Sequence, residues 1–144
     1  MRLPALALAA ILPALPAVAG PDEAEWEIGS SFSSPSKNIY CNYYDAGGET
    51  GTAFHDQKSE MHCIRMQPAP LLVILTGKGV LKINRHPSKA EIETHQVAFN
   101  DVVLAYGETD KSGVHICLST TKGMQCTVKG KGFLLSKSGV ERVP

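Results

Sequence analysis

Short apolar runs recur along this chain between residues that favour turns. The runs are rich in β-branched and aromatic residues and are separated by Gly, Pro, Asn and Ser, a pattern typical of strands. They predict strands over residues 26–32, 39–44, 61–66, 71–75, 80–84, 90–94, 102–106, 114–118, 124–128 and 132–135. The pattern therefore predicts an all-β fold with little helix: a single antiparallel β domain, either a small sandwich or an open barrel.

Two of these segments carry further detail. The stretch LLVILTGKGVLKI, residues 71–83, predicts a hairpin whose first arm is the most buried strand of the domain, because that arm is continuously apolar. Residues 88–98 leave a helix open as an alternative to the strand over 90–94. Ser88 followed by Glu91 forms a possible capping box, and Pro87 just ahead of it suits a helix start.

The N-terminus has the pattern of a secretory signal peptide. Arg2 precedes an apolar stretch, and Ala17-Val18-Ala19 offers the small residues at which signal peptidase cleaves. The apolar stretch is shorter than the roughly 20 residues that span a membrane, and it contains prolines. We expect cleavage between Ala19 and Gly20, a secreted or periplasmic product, and no integral membrane span after signal removal. The predicted organisation is a signal peptide at 1–19, an acidic lead-in at 20–31 and a disulfide-stapled β domain at 32–144.

Four cysteines remain after signal removal, and in an oxidising compartment they predict two disulfides. In GVHICLSTTKGMQCTV, placing Cys117 opposite Cys126 leaves the loop 120–123, in which Gly123 supplies the positive φ that such loops often need. This register predicts the pair Cys117–Cys126, and elimination then predicts Cys41–Cys63.

No metal or cofactor is expected from the sequence. The CxxC, HxxxH and HExxH spacings are all missing, and scattered histidines are more often surface or capping residues. The histidines are found at positions 55, 62, 86, 95 and 115.

Two surfaces are candidates for contact with a partner. From Ile39 onward the residues alternate, and the face opposite Cys41 carries Tyr40, Asn42 and Tyr44. These residues suggest a binding edge that pairs with a partner by strand addition, or else partly buried tyrosines. Lys129 and Lys131, beside glycines, suggest an anion-binding turn or a hairpin tip that needs no ligand.

The charges exclude some classes of partner. The chain has 14 Lys+Arg and 14 Asp+Glu, so its formal net charge is zero. Nothing therefore predicts a general attraction to nucleic acid. The acidic lead-in and a basic C-terminal third are expected to be solvated surface.

No catalytic residue is assigned. The chain lacks Gly-x-Ser-x-Gly, and cysteines in disulfides are not nucleophiles. The leading interpretation is an exported, non-enzymatic binding or inhibitory module whose partner is an unknown protein or an envelope polymer. One alternative is a hydrolase that acts on cell-envelope or extracellular polymer through the loop of His55, Asp56 and Glu60. The other alternative is a structural envelope protein.

Five segments carry a family resemblance. They are FSSPSKNIYC, MHCI, LAYG, CLSTTKGMQC and GKGFLLSKSGV, in that order. Together they resemble a bacterial family of small secreted proteins of unknown function, with Phe-x-Ser-Pro-Ser-Gly-Asn-Ile-x-Cys near the start and Cys-x8-Cys then Gly-His-Gly-Phe-x-x-Ser-Arg near the end. This chain departs from the pattern where Lys37 replaces the glycine and where Lys131 and Lys137 replace the histidine and the arginine. The middle cysteine pair and the Trp-Gly motif of many members are absent. The resemblance implies a secreted, disulfide-stapled β domain and implies no activity.

Overall fold

The computed structural model describes residues 26–46, 59–96 and 102–144, and these form ten strands and one short helix. The elements are β1 (Trp26–Ser33), β2 (Ile39–Ala46), β3 (Glu60–Arg65), β4 (Leu71–Thr76), β5 (Leu81–Asn84), α1 (Lys89–Gln96), β6 (Thr109–Ser112), β7 (His115–Ser119), β8 (Gly123–Val128), β9 (Lys131–Ser136) and β10 (Gly139–Val143). The strands form two antiparallel sheets, in the orders β1-β2-β3-β4-β5 and β10-β9-β8-β7-β6. The predicted all-β fold is confirmed, in its sandwich form.

One hydrophobic core lies between the two sheets. Alternate residues of the central strands point inward from each sheet and form a single cluster, for example Val73 and Leu75 from β4 with Met124 from β8 and Phe133 from β9. Strand β4 is buried on its other face as well, because Leu72 is only 2% exposed. The prediction that this arm is the most buried strand is confirmed only in part, because β3 has as many buried residues as β4.

The two predicted disulfides are both present. Cys41 and Cys63 are direct partners in the β2–β3 register, as are Cys117 and Cys126 in the β7–β8 register. The two bridges face each other across the core, with Cys63 Sγ 3.8 Å from Cys126 Sγ. Two disulfides fit an extracellular or periplasmic protein. In the described ranges, no helix has the length and apolar character needed to cross a membrane.

The predicted strand over 90–94 is wrong, and the alternative helix is present as α1. The Ser88 Oγ accepts a hydrogen bond from the Glu91 amide at 3.1 Å, and the Glu91 carboxylate accepts one from the Ser88 amide at 2.8 Å. This is the capping box, and it satisfies amides that a helix start otherwise leaves unpaired.

The predicted strand over 102–106 is also wrong. Only Val103 makes a bridge, in parallel with Ser33 at the end of β1. The chain then turns, with the Glu108 amide donating to the Ala105 carbonyl at 2.9 Å. The segment 102–106 therefore makes one isolated β-bridge to the first sheet and forms no strand.

The loop that joins β7 to β8 corrects a detail of the prediction. The predicted register, with Cys117 opposite Cys126, is confirmed, and it pairs Leu118 with Gln125 and Ser119 with Met124. Gly123, however, has no positive φ and belongs to β8. Glycine is required there for space, because a Cβ would lie 2.0 Å from the Leu135 carbonyl oxygen.

Some predictions agree with the structure only in part, and others concern residues that it does not describe. Strand β1 pairs with β2 from Trp26 onward, so the sheet begins inside the predicted lead-in 20–31. The predicted signal peptide with its cleavage point at Ala19 and Gly20, and the loop residues His55 and Asp56, lie outside the described residues.

Candidate functional site

A groove of about 460 Å³, lined mostly by residues with polar side chains, lies at one end of the sandwich. Turns and loops from both sheets meet there: the β1–β2 turn, the β3–β4 turn, the turn at 105–108, the β7–β8 loop and the β9–β10 turn. The lining residues are Ser34, Ser36, Asn38, Ile39, Gln67, Tyr106, Thr120, Thr121, Lys122, Gly123 and Lys137. This volume is in the range of small-molecule sites.

The first wall of the groove is the β1–β2 turn. The Lys37 amide donates to the Ser34 carbonyl at 2.9 Å, and the Ser34 Oγ accepts the Ile39 amide at 3.1 Å. Pro35 pre-sets φ at the second position of this turn, and Lys37 completes it with φ 62°. The Ser-Pro-Ser sequence therefore gives the groove a fixed edge.

Asn38 ties this turn to the next one along the sheet. Its Nδ2 donates to the Gln67 carbonyl at 2.9 Å, and its Oδ1 accepts the Gln67 amide at 2.7 Å. The Met66 amide donates to the Asn38 carbonyl at 2.8 Å. These bonds hold the Gln67 backbone beside the β1–β2 turn.

Arg65 joins the two sheets beneath the groove. Its side chain is 7% exposed, and its Nη1 donates to the carbonyls of Ser136 at 3.2 Å and Lys137 at 3.1 Å. The same guanidinium donates to the Ala69 carbonyl. Arg65 therefore fixes the backbone that carries Lys137.

Several lining side chains are available to a ligand. Within the described part of the chain, no hydrogen bond or ion pair engages the side chains of Gln67, Thr121, Lys122 and Lys137, and Tyr106 is 53% exposed. The groove lining contains no carboxylate. Two ammonium groups, an amide, hydroxyls and an exposed aromatic ring favour a polar ligand with negative charge.

A second, smaller depression adjoins the groove. It measures about 320 Å³ and shares Lys122 and Lys137 with the groove. Its other lining residues are Leu134, Ser136, Ser138 and Glu141. The two lysines therefore lie in the middle of an extended trough, whose second part follows β9 and β10.

The segments that carry the family resemblance meet at this groove. Every lining residue except Gln67 belongs to one of four of those segments: FSSPSKNIYC, LAYG, CLSTTKGMQC and GKGFLLSKSGV. Their convergence was not visible from the sequence, because the segments lie far apart along the chain and the strand order was unknown.

Tyr40, Asn42 and Tyr44 do not lie on an edge strand, so the prediction of a free sheet edge there is wrong. Strand β2 lies between β1 and β3, so its backbone is already paired on both sides. Asn42 is 1% exposed; its Oδ1 accepts from Ser31 Oγ at 2.6 Å, and its Nδ2 donates to the His95 carbonyl at 3.1 Å. Helix α1 covers this face, and contact of Tyr40 or Tyr44 with a partner stays a prediction.

Lys129 and Lys131 lie at a hairpin tip, as one of the two interpretations predicted. Val128 pairs with Lys131, and the two residues between them have positive φ, 53° at Lys129 and 82° at Gly130. This is the geometry of a tight two-residue turn. The tip is at the opposite end of the β8–β9 hairpin from the groove, and anion binding there stays a prediction.

Two of the histidines were misjudged as surface or capping residues. His115 is fully buried, and its Nε2 lies 2.8 Å from the Leu75 carbonyl oxygen. His95 is buried on α1 and lies beside His62 of β3, which in turn contacts Glu60. The His62 hydrogen bond holds the pKa of Glu60 below its ordinary value, and burial lowers the pKa of His95. No spacing rule finds this group, because its members are brought together only when the helix packs on the sheet.

The core sulfurs are also close together. In the described ranges, Cys41, Cys63 and Cys126 place their sulfur atoms within 4.8 Å of one another. All belong to the two disulfides, so they are not thiolate ligands in this state.

No protein-family model, curated protein or solved structure matches this chain. The resemblance to the secreted bacterial family therefore stays a prediction, and the site has to be interpreted from its own geometry.

Proposed function

We propose that this chain is an exported, non-enzymatic binding module that holds an acidic polymer of the cell envelope or extracellular space in the groove. The observation that carries the proposal is the extended trough, with Lys122 and Lys137 at its centre and no carboxylate in the lining of the main groove. A chain of sugars with carboxylate or phosphate groups offers hydroxyls to the polar side chains, charge to the lysines and a ring face to Tyr106. The predicted signal peptide and the two disulfides support export.

The groove replaces strand addition as the proposed mode of binding. Strand β2 has no free edge, whereas the groove presents side chains that the fold does not use. Its walls are held by Asn38 and Arg65, so little order has to be gained on binding.

The test is co-sedimentation with insoluble cell-wall sacculi, together with calorimetric titration of a soluble polyuronate. Lys122→Gln with Lys137→Gln should weaken binding at least about tenfold, since two charge-assisted contacts are lost. The matched control is Lys129→Gln with Lys131→Gln, which removes the same charge at the far hairpin tip. A neutral glucan serves as the ligand control.

The outcomes separate the three interpretations. Binding that falls equally in both double variants contradicts the groove and indicates general charge attraction. Release of new polymer ends during incubation favours the hydrolase. Folded protein that binds none of these polymers contradicts the proposal and leaves the structural interpretation standing.

A further inference from the structure

Glu60, His62 and His95 form a continuous series of short contacts on the outer face of the first sheet. His62 Nε2 of β3 lies 2.8 Å from Glu60 Oε1, and His62 Nδ1 lies 2.8 Å from His95 Nε2 of α1. His95 Nδ1 lies 2.7 Å from the Glu91 carbonyl oxygen. The ring planes are inclined by only 22°, and the centroids are 5.0 Å apart. The facing nitrogens are therefore placed for a direct hydrogen bond, which joins α1 to β3.

Three protons are needed to make all three contacts. The Glu91 carbonyl only accepts, so His95 Nδ1 has to donate. An ionised Glu60 also only accepts, so His62 Nε2 has to donate. The contact between the two rings takes one more proton. Two neutral imidazoles carry only two protons, so all three hydrogen bonds form together only when one of the rings is an imidazolium.

The surroundings place the extra proton on His62 rather than on His95. The hydrogen bond from His62 holds the pKa of Glu60 below its ordinary value, which keeps that carboxylate ionised beside the His62 ring. Burial lowers the pKa of His95, because a buried ring loses the hydration of its charged form. His62 is therefore the donor between the rings, His95 is the neutral acceptor, and Glu60 balances the charge.

The arrangement tolerates neither the loss nor the gain of a proton. With one proton fewer, one of the three contacts brings two lone pairs together and has to be given up. With one proton more, both facing nitrogens carry hydrogen and neither can accept. Separation of α1 from the sheet relieves both conflicts, because water then satisfies the rings.

Four other ionisable groups act on the pair or on Glu60. Tyr44 of β2 lies against both rings, and burial raises its pKa. On α1, the hydrogen bonds of the capping box lower the pKa of the Glu91 carboxylate. Lys82 of β5 and His115 of β7 act on Glu60 through their charge. Tyr44 and Glu91 therefore keep their charge states near neutral pH, and a control variant accounts for His115.

We propose that Glu60, His62 and His95 form a pH-sensitive latch, which holds α1 on the first sheet while the two rings share three protons. Release of the latch exposes Asn42 and Tyr44 on the outer face of β2. The latch is separate from the groove and independent of the proposed function.

The direction of the pH dependence follows from counting protons in the docked and undocked states. Histidines in water have a pKa of about 6.5, so two undocked rings bind three protons on average near that pH. Above it, the undocked rings bind fewer protons than the latch does, and docking weakens as the pH rises. Below it, they bind more, and docking weakens as the pH falls. Docking of α1 should therefore be tightest near about pH 6.5.

Hydrogen exchange of the Asn42 side-chain amide measures this docking. Asn42 is 1% exposed, and its Nδ2 donates to the His95 carbonyl at 3.1 Å, so it exchanges when α1 leaves the sheet. Its protection is expressed relative to free asparagine at the same pH. We expect the protection to be greatest near about pH 6.5 and to fall by up to about tenfold per pH unit on either side.

Three variants separate the latch from other causes. His62→Gln leaves a side-chain amide that can donate to His95 but cannot titrate, so protection should no longer fall as the pH rises, while the fall in acid remains. His86→Gln, at an exposed histidine, is the matched control. His115→Gln removes the other buried ring. Both of these variants should keep the maximum of the original chain.

A second measurement does not depend on the variants being folded. In the original protein near neutral pH, ¹⁵N NMR should detect a scalar coupling between His62 Nδ1 and His95 Nε2 across the hydrogen bond. The proposal is overturned if this coupling is absent from the folded protein. It is also overturned by Asn42 protection that is constant between pH 5 and pH 8, or by a fall above pH 6.5 that is unchanged in His62→Gln.

Discussion

Lys37 has a backbone conformation that is energetically unfavourable for any residue with a side chain. Its φ is 62°, in the left-handed region, at the corner of the turn that forms one wall of the groove. Such a residue carries a penalty of about 1–2 kcal/mol that glycine avoids. Glycine would adopt this φ without that penalty.

We therefore expect Lys37→Gly to stabilise the protein by about 0.5 kcal/mol or more, after the larger entropy of glycine in the unfolded chain is subtracted. Equilibrium unfolding in urea measures the change. Lys78→Gly is the control, because Lys78 lies in a turn without a positive φ and should lose about 0.5–1 kcal/mol. Equal losses in the two variants would contradict the assignment of strain to Lys37.

Gly132 is required for a different reason, the close approach of two strands. A Cβ at this position would lie 1.9 Å from the Cys126 carbonyl oxygen. We expect Gly132→Ala to cost about 3 kcal/mol or more, because backbone has to move next to a disulfide. In Gly130→Ala, in the same hairpin, the added Cβ has no neighbour within 4 Å, and the only strain comes from the φ of 82°. This substitution should cost about 1–2 kcal/mol of stability. Similar unfolding midpoints for the two variants would contradict this explanation.

At the scale of elements, the sequence predicted the strands that carry apolar runs and missed two strands that carry few apolar residues. Strands β4 and β8 are buried, and their apolar runs were recognised. Strands β6 (TDKS) and β10 (GVERV) are exposed edges, and their polar residues carry little alternation. The residues over 90–94 were predicted as a strand from composition, although the capping box at their start specifies a helix.

The candidate site was less predictable than the fold. The groove draws its walls from turns whose meeting depends on strand order, which periodicity does not contain. His62 and His95 belong to different elements and meet only because α1 packs on the outer face of β2 and β3. The contact prediction at Asn42 failed for the same reason, since the helix that buries it was not expected.

Helix α1 has only eight residues, so it depends on its cap and on its packing. We expect Ser88→Ala to destabilise the protein by about 1 kcal/mol, since the Glu91 amide loses its acceptor. Hydrogen exchange of the Ile92 amide, which donates to the Ser88 carbonyl at 2.9 Å, reports on the helix start and should become faster. Glu91→Gln keeps a side-chain acceptor for the Ser88 amide and should change exchange much less. Unchanged exchange at Ile92 in Ser88→Ala would show that the cap contributes nothing.

At the scale of the whole molecule, the two disulfides lie against each other at the centre of the sandwich. Their sequence separations are 22 and 9 residues, for Cys41–Cys63 and Cys117–Cys126 respectively. Loop-closure entropy then gives about 3.4 kcal/mol for the longer loop and about 2.6 kcal/mol for the shorter one. Replacing each pair with alanines should therefore cost more at Cys41 and Cys63, as measured by urea unfolding without reductant. A larger loss at Cys117 and Cys126 would mean that packing of the sulfurs outweighs loop closure.

His115 connects the two sheets and should make the stability of the sandwich depend on pH. Its Nε2 donates across the core to the Leu75 carbonyl, and burial lowers its pKa below the ordinary value of about 6.5. Tyr43 of β2 faces the ring at 5.7 Å. Backbone hydrogen bonding, chiefly to Leu75, and the Glu60 charge on β3 raise the pKa but only partly offset the effect of burial.

The unfolded chain therefore takes up a proton at His115 before the folded protein does. The full contribution of neutral His115 is present above about pH 6.5 and is lost as the pH falls toward the lower pKa of the folded state, by at most about 1.4 kcal/mol per pH unit. Unfolding free energies at pH 7.5 and pH 5 should differ less in His115→Gln than in the original chain, whatever the absolute stability of the variant. His86→Gln, at an exposed histidine, should keep the original pH dependence. If His115→Gln keeps it as well, the acid sensitivity of the fold arises at other groups.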